Sequence, residues 1–148
     1  HREGLLMIKQ TTNYPWSLLL RADPDEKMIA QYITTSKCFV LDQLGVIVLQ
    51  QVTPTILEIK NIAVDAAHEQ MGYGKQLLQF AIDFAKEHHY KQLDVRTGNS
   101  SISQLAFYQK AGFRIVEIIP DYFTIHYEEP IIEDGIPCLD QLKLSIIL

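Results

Sequence analysis

Apolar residues recur along the chain with two different periods, and each period predicts one kind of secondary structure. Runs in which apolar and polar residues alternate, or in which β-branched residues are concentrated, predict strands. Stretches in which apolar residues recur three or four positions apart predict helices with one buried face. The predicted strands are Leu5–Gln10, Cys38–Leu41, Gly45–Val52, Thr55–Val64, Lys91–Arg96, Phe113–Ile119 and Cys138–Leu148.

Two short helices are predicted in the N-terminal third of the chain. The first covers Tyr14–Arg21, where three consecutive leucines follow a stretch without alternation. The second begins with Asp23 as its N-cap and Pro24 in its first turn, an arrangement that favours helix initiation.

Two longer helices are predicted in the second half. One follows a pair of glycines and runs to about His88, with a broad apolar stripe that indicates packing on a sheet. The other begins at Ser101, which together with Gln104 has the spacing of a capping box, and ends at Gly112. The order of elements predicts an α/β fold, a mixed sheet with helices on its faces.

The strand Thr55–Val64 is long enough to give each of its faces a distinct set of side chains. Because side chains alternate across a strand, each face takes every second residue. One predicted face consists of Ile56, Glu58, Lys60, Ile62 and Val64, and the other of Leu57, Ile59, Asn61 and Ala63.

Composition narrows the class of protein. The 148 residues predict one domain with a proper core, and the net charge of −5 lacks the basic character of a nucleic-acid-binding protein. The sequence has no apolar run long enough to span a bilayer and no signal-peptide pattern. We therefore expect no membrane partner and, from the charge, no nucleic-acid partner. Cys38 and Cys138 are far apart and lack metal-ligand spacing, which indicates a reduced, cytoplasmic protein with no structural disulfide and no bound metal. The segment His1–Gly4 is interpreted as a cloning remnant.

Gly72 and Gly74 follow the long strand and stand at the start of a helix, where glycines let the backbone approach a ligand closely. The N-terminus of a helix presents unpaired N–H groups and a positive dipole end, which favours a bound phosphate. The positive charge of Lys75 in the first turn interacts unfavourably with the helix dipole, and a bound anion would offset that cost. A plain strand-to-helix turn with a solvated lysine explains the same residues, so spacing alone leaves both interpretations open.

Two common phosphate-binding motifs do not match this stretch. A Walker A loop requires glycine at the position of Glu69 and Ser or Thr at the position of Gln76. A dinucleotide-binding fingerprint requires a third glycine at the position of Leu77 and glycines directly after the strand. Neither a P-loop nor a dinucleotide fold is therefore expected.

The region from Thr55 to Ile119 resembles the GNAT superfamily of acyl-CoA-dependent N-acetyltransferases. The donor loop of that family, Q/R-x-x-G-x-G/A, aligns with Glu69–Gly74, and the helix end Ala106–Phe113 matches a second motif. The first loop position is Glu69, which departs from the family pattern. The resemblance implies a mostly antiparallel, twisted sheet of about six or seven strands flanked by about four helices.

The resemblance also implies which residues hold acetyl-CoA, the acyl-donor substrate. Its diphosphate would be bound by the loop amides, and its pantetheine arm would lie along the strand that precedes the loop. The family often has a donor-binding asparagine seven residues before the tyrosine that corresponds to Tyr108. Ser101 occupies that position here, and Asn99, two residues earlier, is the preferred candidate for the same role. The implied donor-binding residues are Ile62, Ala63, Val64, Met71, Gly72, Tyr73, Gly74, Lys75, Asn99 and Ser101.

Three residues are candidates for proton transfer. The resemblance implies that Tyr108 protonates the departing thiolate, and a phenol is protonated at neutral pH. Glu58 matches a position where several family members have a base. The reaction needs a base because only a neutral amine attacks the thioester. Alternatives that remain open are His126 or a water path as the base, Glu58 as a simple ion-pair partner of Lys60, and Tyr108 as a core residue.

The acidic, aromatic segment 120–137 is predicted to be irregular and to select the acceptor. Carboxylates beside aromatic rings suit a small cationic primary amine, while a solvated acidic loop or a dimer surface would have the same composition. Other functions that fit the same residues are acetylation of protein or peptide amines, and a non-catalytic acyl-CoA-binding regulatory module. A homodimer is common in the family, so self-association is possible for this chain.

Overall fold

A computed structural model describes residues 7–148. The remnant proposed at His1–Gly4 and the first residues of the strand predicted at Leu5–Gln10 lie outside this range. The helices are α1 (Trp16–Ala22), α2 (Glu26–Ala30), α3 (Tyr73–Glu87), α4 (Ile102–Lys110) and α5 (Tyr122–His126), with 3-10 turns at Ile33–Thr35 and Ala66–His68. The strands are β1 (Ile8–Thr11), β2 (Lys37–Leu41), β3 (Gly45–Thr53), β4 (Ile56–Val64), β5 (Gln92–Gly98), β6 (Arg114–Ile119), β7 (Ile132–Glu133), β8 (Ile136–Pro137) and β9 (Gln141–Ile147).

Seven strands form one mixed sheet in the order β1-β2-β3-β4-β5-β9-β6, and β7 pairs with β8 in a separate small hairpin. Every pair in the main sheet is antiparallel except β4 with β5, which run parallel with α3 as the connection between them. The predicted mixed, mostly antiparallel sheet with flanking helices is confirmed.

Both faces of the sheet are covered by apolar packing. On one face, α3 buries Leu77, Leu78 and Ala81 against β3, β4 and β5, and Tyr108 from α4 joins the same cluster. On the other face, α1 and α2 bury Leu19 and Ile29. The apolar stripe of α3 therefore packs on the sheet as its spacing predicts.

A β-bulge in β4 changes which side chains share a face. Val48 pairs with Asn61 and Leu49 pairs with Ile59, so Lys60 is an extra residue in β4. Strict alternation therefore fails, and the prediction that Glu58 shares a face with Ile62 and Val64 is wrong. Beyond the bulge Ile62 joins the α3 face with Leu57 and Ile59, while Ala63 packs on the opposite, α1 face. Glu58, which lies between Leu57 and Ile59, is on that α1 face as well.

A gap opens between β4 and β5 next to this bulge. Pairing is limited to Ile56–Ile59 of β4 and Gln92–Val95 of β5, although β4 continues to Val64 and β5 to Gly98. Within residues 7–148, the edge of β4 that faces β5 has no strand partner beyond Ile59. Backbone N–H and C=O groups on such an edge are available to a bound molecule.

Two local predictions about helix starts are wrong. Asp25, not Asp23, is the N-cap of α2, and its carboxylate accepts a hydrogen bond of 2.9 Å from the backbone N–H of Lys27. Asp23 adopts an extended conformation after α1, because the residue before a proline disfavours the helical region. Ser101 stands at the N-cap position of α4, but no capping box forms, since its hydroxyl donates to Glu133 instead.

Candidate active site

Two cavities meet at the gap between β4 and β5. The loop cavity, about 510 Å³, lies beside the loop 65–72 and the start of α3. The strand cavity, about 540 Å³, lies over the bulge of β4 and under the segment 122–138. Both cavities are lined by Arg21, Ala22, Ile62 and Gln104. A long molecule could therefore pass along β4 from one cavity to the other.

The loop before α3 exposes its backbone at the start of the helix. Gly72 is the N-cap of α3 with φ of +85°, a region in which a side chain is strained, and an added Cβ would point into open space. Gln70 also has a positive φ, which the sequence did not reveal. The first turn of α3 contains no acidic residue, and Lys75 lines the loop cavity. This arrangement fits an anionic group at the helix N-terminus.

Most of the expected donor-binding residues lie around the loop cavity. Its lining includes, from the expected set, Ile62, Ala63, Val64, Gly72, Tyr73, Gly74 and Lys75. Met71 does not line it, and its side chain is largely exposed. The backbone oxygen of Val64 accepts a hydrogen bond of 2.9 Å from Nε of Arg21, which occupies one of the two lone pairs of this carbonyl.

The glutamate that departs from the family pattern has a partner. Nη2 of Arg21 lies 2.9 Å from Oε2 of Glu69, and the two side chains form an ion pair across the opening of the loop cavity. Asp65 stiffens the same loop, because it accepts hydrogen bonds from the backbone N–H of Ala67 and, at 2.7 Å, from the ring of His68. The hydrogen bond from His68 lowers the pKa of the Asp65 carboxyl below its usual range.

Tyr108 is buried in the core and also borders the strand cavity. Its hydroxyl donates to Oε1 of Gln104 at 3.0 Å, and burial raises the pKa of the phenol well above its usual value. The side chain is therefore a protonated donor at neutral pH. Its ring is packed in the core and the residue also borders the strand cavity, so the position is compatible both with a core residue and with a proton donor.

Glu58 lies on the floor of the strand cavity between two cations. Its Oε2 is 3.0 Å from Nζ of Lys60, and its Oε1 is 3.5 Å from Nε of Arg96. Only 5% of the residue is exposed. The ion pair with Lys60 is present as anticipated, and the cavity places the carboxylate within the site.

Asp23 and two tyrosines form a polar wall of the strand cavity that sequence reasoning missed. The hydroxyl of Tyr127 donates to Oδ1 of Asp23 at 3.0 Å, across 104 positions of the chain. The hydroxyl of Tyr32 accepts from Nδ2 of Asn61 at 3.0 Å. Burial raises the pKa of Asp23, Tyr32 and Tyr127 above their usual values. No local pattern marks Asp23, because its place in the cavity depends on contacts distant in sequence.

Asn99 and His126 do not fit the geometry expected of site residues. Asn99 lines neither cavity, since Nδ2 donates to the carbonyl of Pro137 and Oδ1 accepts from the backbone N–H groups of Leu139 and Asp140. Ser101 does line the strand cavity, so it is the better of the two candidates. His126 is exposed at the end of α5 and lines neither cavity, which argues against it as the base.

The segment 120–137 is not fully irregular, because it contains α5 and the β7–β8 hairpin. Tyr122, Phe123, Tyr127 and Glu133 from this segment line the strand cavity, while its other carboxylates do not. Glu133 accepts hydrogen bonds from the hydroxyls of Ser100 and Ser101. Aromatic rings, more than acidic residues, are thus what the segment contributes.

The described part of the chain contains no cluster of three or more His, Cys, Asp or Glu side chains placed to hold a metal ion. Within residues 7–148, none of the helices is long and apolar enough to cross a membrane.

Comparison with known proteins identifies the family of this chain. A family model described as an acetyltransferase (GNAT) domain matches residues 34–115. YvbK of Bacillus subtilis strain 168, an uncharacterized N-acetyltransferase, is 42% identical over 144 residues, which cover 95% of this chain and 93% of that protein.

Solved structures give the same result at the level of the fold. An IAA acetyltransferase from Bacillus cereus superposes with a TM-score of 0.93 at 46% identity, covering 97% of this chain and 100% of that one. A GNAT family acetyltransferase from Elizabethkingia anophelis with acetyl-CoA bound has a TM-score of 0.94 at 40% identity, covering 99% of this chain and 100% of that one. The chain therefore belongs to the GNAT superfamily and is an acyl-CoA-dependent N-acetyltransferase.

Proposed function

We propose that the enzyme transfers the acetyl group of acetyl-CoA to the primary amine of a small cationic molecule bound in the strand cavity. The observation that supports this acceptor class is Asp23, a half-buried carboxylate in the cavity wall that forms no ion pair with any described residue. Because burial disfavours its charged form, an ammonium group beside it would offset that cost.

Aromatic rings around Asp23 favour the same kind of acceptor. Tyr32, Tyr122, Phe123 and Tyr127 line the strand cavity, and an alkylammonium group gains from contact with such ring faces. Of the other carboxylates of the cavity, Glu58 is paired with two cations, and Glu133 accepts hydrogen bonds from two serine hydroxyls. Asp23 accepts from the hydroxyl of Tyr127 and from the backbone N–H of Asp25, both on Oδ1, so its Oδ2 is left for a ligand beside the aromatic rings. Asp23 is thus the acidic side chain best able to select for a positive charge.

The loop cavity suits the acyl donor. We propose that the backbone N–H groups at Gly72, Tyr73, Gly74 and Lys75 hold the diphosphate, with the dipole of α3 and the charge of Lys75 in support. The unpaired edge of β4 around Ile62 and Ala63 offers its backbone groups to the pantetheine arm. We propose that Ser101, which lines the strand cavity, also contacts acetyl-CoA.

In the reaction, acetyl-CoA supplies the activated acyl group, a new N–C bond forms and the C–S bond breaks. We propose that Glu58 accepts the proton that the ammonium must lose before it attacks, either directly or through water. Tyr108 gives its proton to the departing sulfur. Since Tyr108 donates to Gln104 in the present structure, that hydrogen bond must open when the thiolate forms.

The first experiment measures release of free thiol from acetyl-CoA with a panel of polyamines, aminoglycosides, amino acids and peptides. We expect turnover with small polycationic amines and little with peptides. Preferential acetylation of peptides would instead support a protein acetyltransferase.

Substitution of one carboxylate then tests the acceptor site. Asp23→Asn should raise the KM of the best cationic acceptor by about tenfold to a hundredfold, the value of a charge-assisted hydrogen bond, without changing the KM of acetyl-CoA. Asp25→Asn is the matched control, because Asp25 caps α2 from outside both cavities and Asn is an equally good N-cap. Equal acceptor KM values in the two variants would contradict the proposed acceptor site.

A further inference from the structure

One arginine connects three elements at the point where the two cavities meet. Arg21 is in the last turn of α1, and its Nε donates to the backbone oxygen of Val64 at the end of β4. Its Nη2 donates to Glu69 in the loop before α3. Because both donors belong to one rigid, planar group, the guanidinium fixes the spacing between the strand end and the loop.

The electrostatics of the loop cavity give this contact a consequence for donor binding. Glu69 lines the cavity in which the anionic diphosphate is expected, and two negative groups at short range repel each other. The charge of Arg21 neutralises that carboxylate and holds it at the edge of the site. With Arg21 removed, Glu69 would be an unpaired negative charge beside the phosphates.

We propose that Arg21 is a positioning residue for the acyl donor, and that its role is to neutralise Glu69 and hold it in place. Loss of Arg21 is therefore harmful chiefly because Glu69 is present. The pair compensates for a glutamate at a loop position where the family pattern has glutamine or arginine.

A double-mutant cycle with direct binding of CoA tests this proposal. CoA affinity is measured by calorimetry for the unmodified protein, Arg21→Ala, Glu69→Gln and the double variant. We expect Arg21→Ala to weaken CoA binding by up to about fivefold, the upper end of the range for a pair this exposed, and Glu69→Gln to have a small effect. The double variant should regain most of the lost affinity.

Salt dependence and a charge-conserving variant separate repulsion from a packing defect. The loss in Arg21→Ala should shrink between low salt and about 0.5 M salt, because screening reduces repulsion between exposed charges. The CoA affinity of Arg21→Lys should lie between those of the unmodified protein and Arg21→Ala, since a lysine ammonium keeps the charge but cannot contact Val64 and Glu69 with two fixed donors. Lys27→Ala is the matched control, an exposed lysine outside both cavities with a weak ion pair to Glu128.

Two results would overturn the proposal. If Arg21→Ala weakens CoA binding equally with Glu69 or Gln at position 69, Arg21 contacts the phosphates itself or acts only through Val64. If CoA affinity is unchanged in Arg21→Ala, the pair has no role in donor binding. Because CoA binding needs no acceptor, either result is independent of whether the proposed acceptor class is right.

Discussion

At the scale of single residues, the two cavities are lined both by side chains from short local motifs and by side chains held by partners distant along the chain. Tyr108 and Gly72 belong to short sequence motifs, and they lie beside the strand cavity and the loop cavity, respectively. Asp23 and Arg21 belong to no such motif, and their partners, Tyr127 and Glu69, are 104 and 48 positions away along the chain. No local pattern could indicate such contacts.

Substitution of Tyr108 tests its proposed role as the general acid. Tyr108→Phe keeps the ring in the core and removes the hydroxyl, so the acetyl-transfer step should slow by about 10²–10⁴-fold. The measurement is single-turnover transfer with saturating acetyl-CoA, alongside the Tm. Gln104→Leu is informative as a companion, since it removes the hydrogen-bond acceptor of the phenol and leaves the acid in place. Unchanged turnover in Tyr108→Phe would exclude the hydroxyl as the acid.

At the scale of secondary structure, the extent of β4 was predictable but its faces were not. Alternation in the sequence locates the strand within one residue, whereas the bulge at Lys60 depends on how β3 pairs with it. The consequence is functional, because the bulge leaves Glu58 on the α1 face and Ile62 on the α3 face, and both residues line the strand cavity. Bulges of this kind commonly re-aim side chains next to active sites.

Neighbouring positions in β4 and β5 provide a matched test of Glu58 as the base. Asp94 pairs with Glu58 in register, is equally buried and has its own lysine partner, but it does not line either cavity. Glu58→Gln should lower kcat by about 10²-fold or more, and Asp94→Asn by much less, at similar losses of Tm. The loss in Glu58→Gln should also be smaller for acceptors of low pKa, which are already neutral at the assay pH. Equal losses of kcat in the two variants would show that buried charge, not proton transfer, matters here.

At the scale of the whole molecule, the α/β class and the position of the donor loop followed from the sequence. The strand order did not, because β9 inserts between β5 and β6, and β4 pairs with β5 over only part of its length. Both features depend on contacts between distant segments. They are also what creates the site, since the gap between β4 and β5 joins the two cavities.

Ligand-induced stabilisation of the whole domain tests the donor loop. Acetyl-CoA at about 100 times its Kd should stabilise the native state by about 2.7 kcal/mol and raise the Tm by roughly 5–10 °C. Gly72→Ala and Gly135→Ala both force a side chain into positive φ in open space, so each should cost about 1 kcal/mol without ligand. Of these two glycines, Gly72 lines the loop cavity and Gly135 lines neither cavity, so only Gly72→Ala should also reduce the Tm shift that acetyl-CoA produces. Equal shifts in both variants would mean that the loop backbone at Gly72 does not contact the donor.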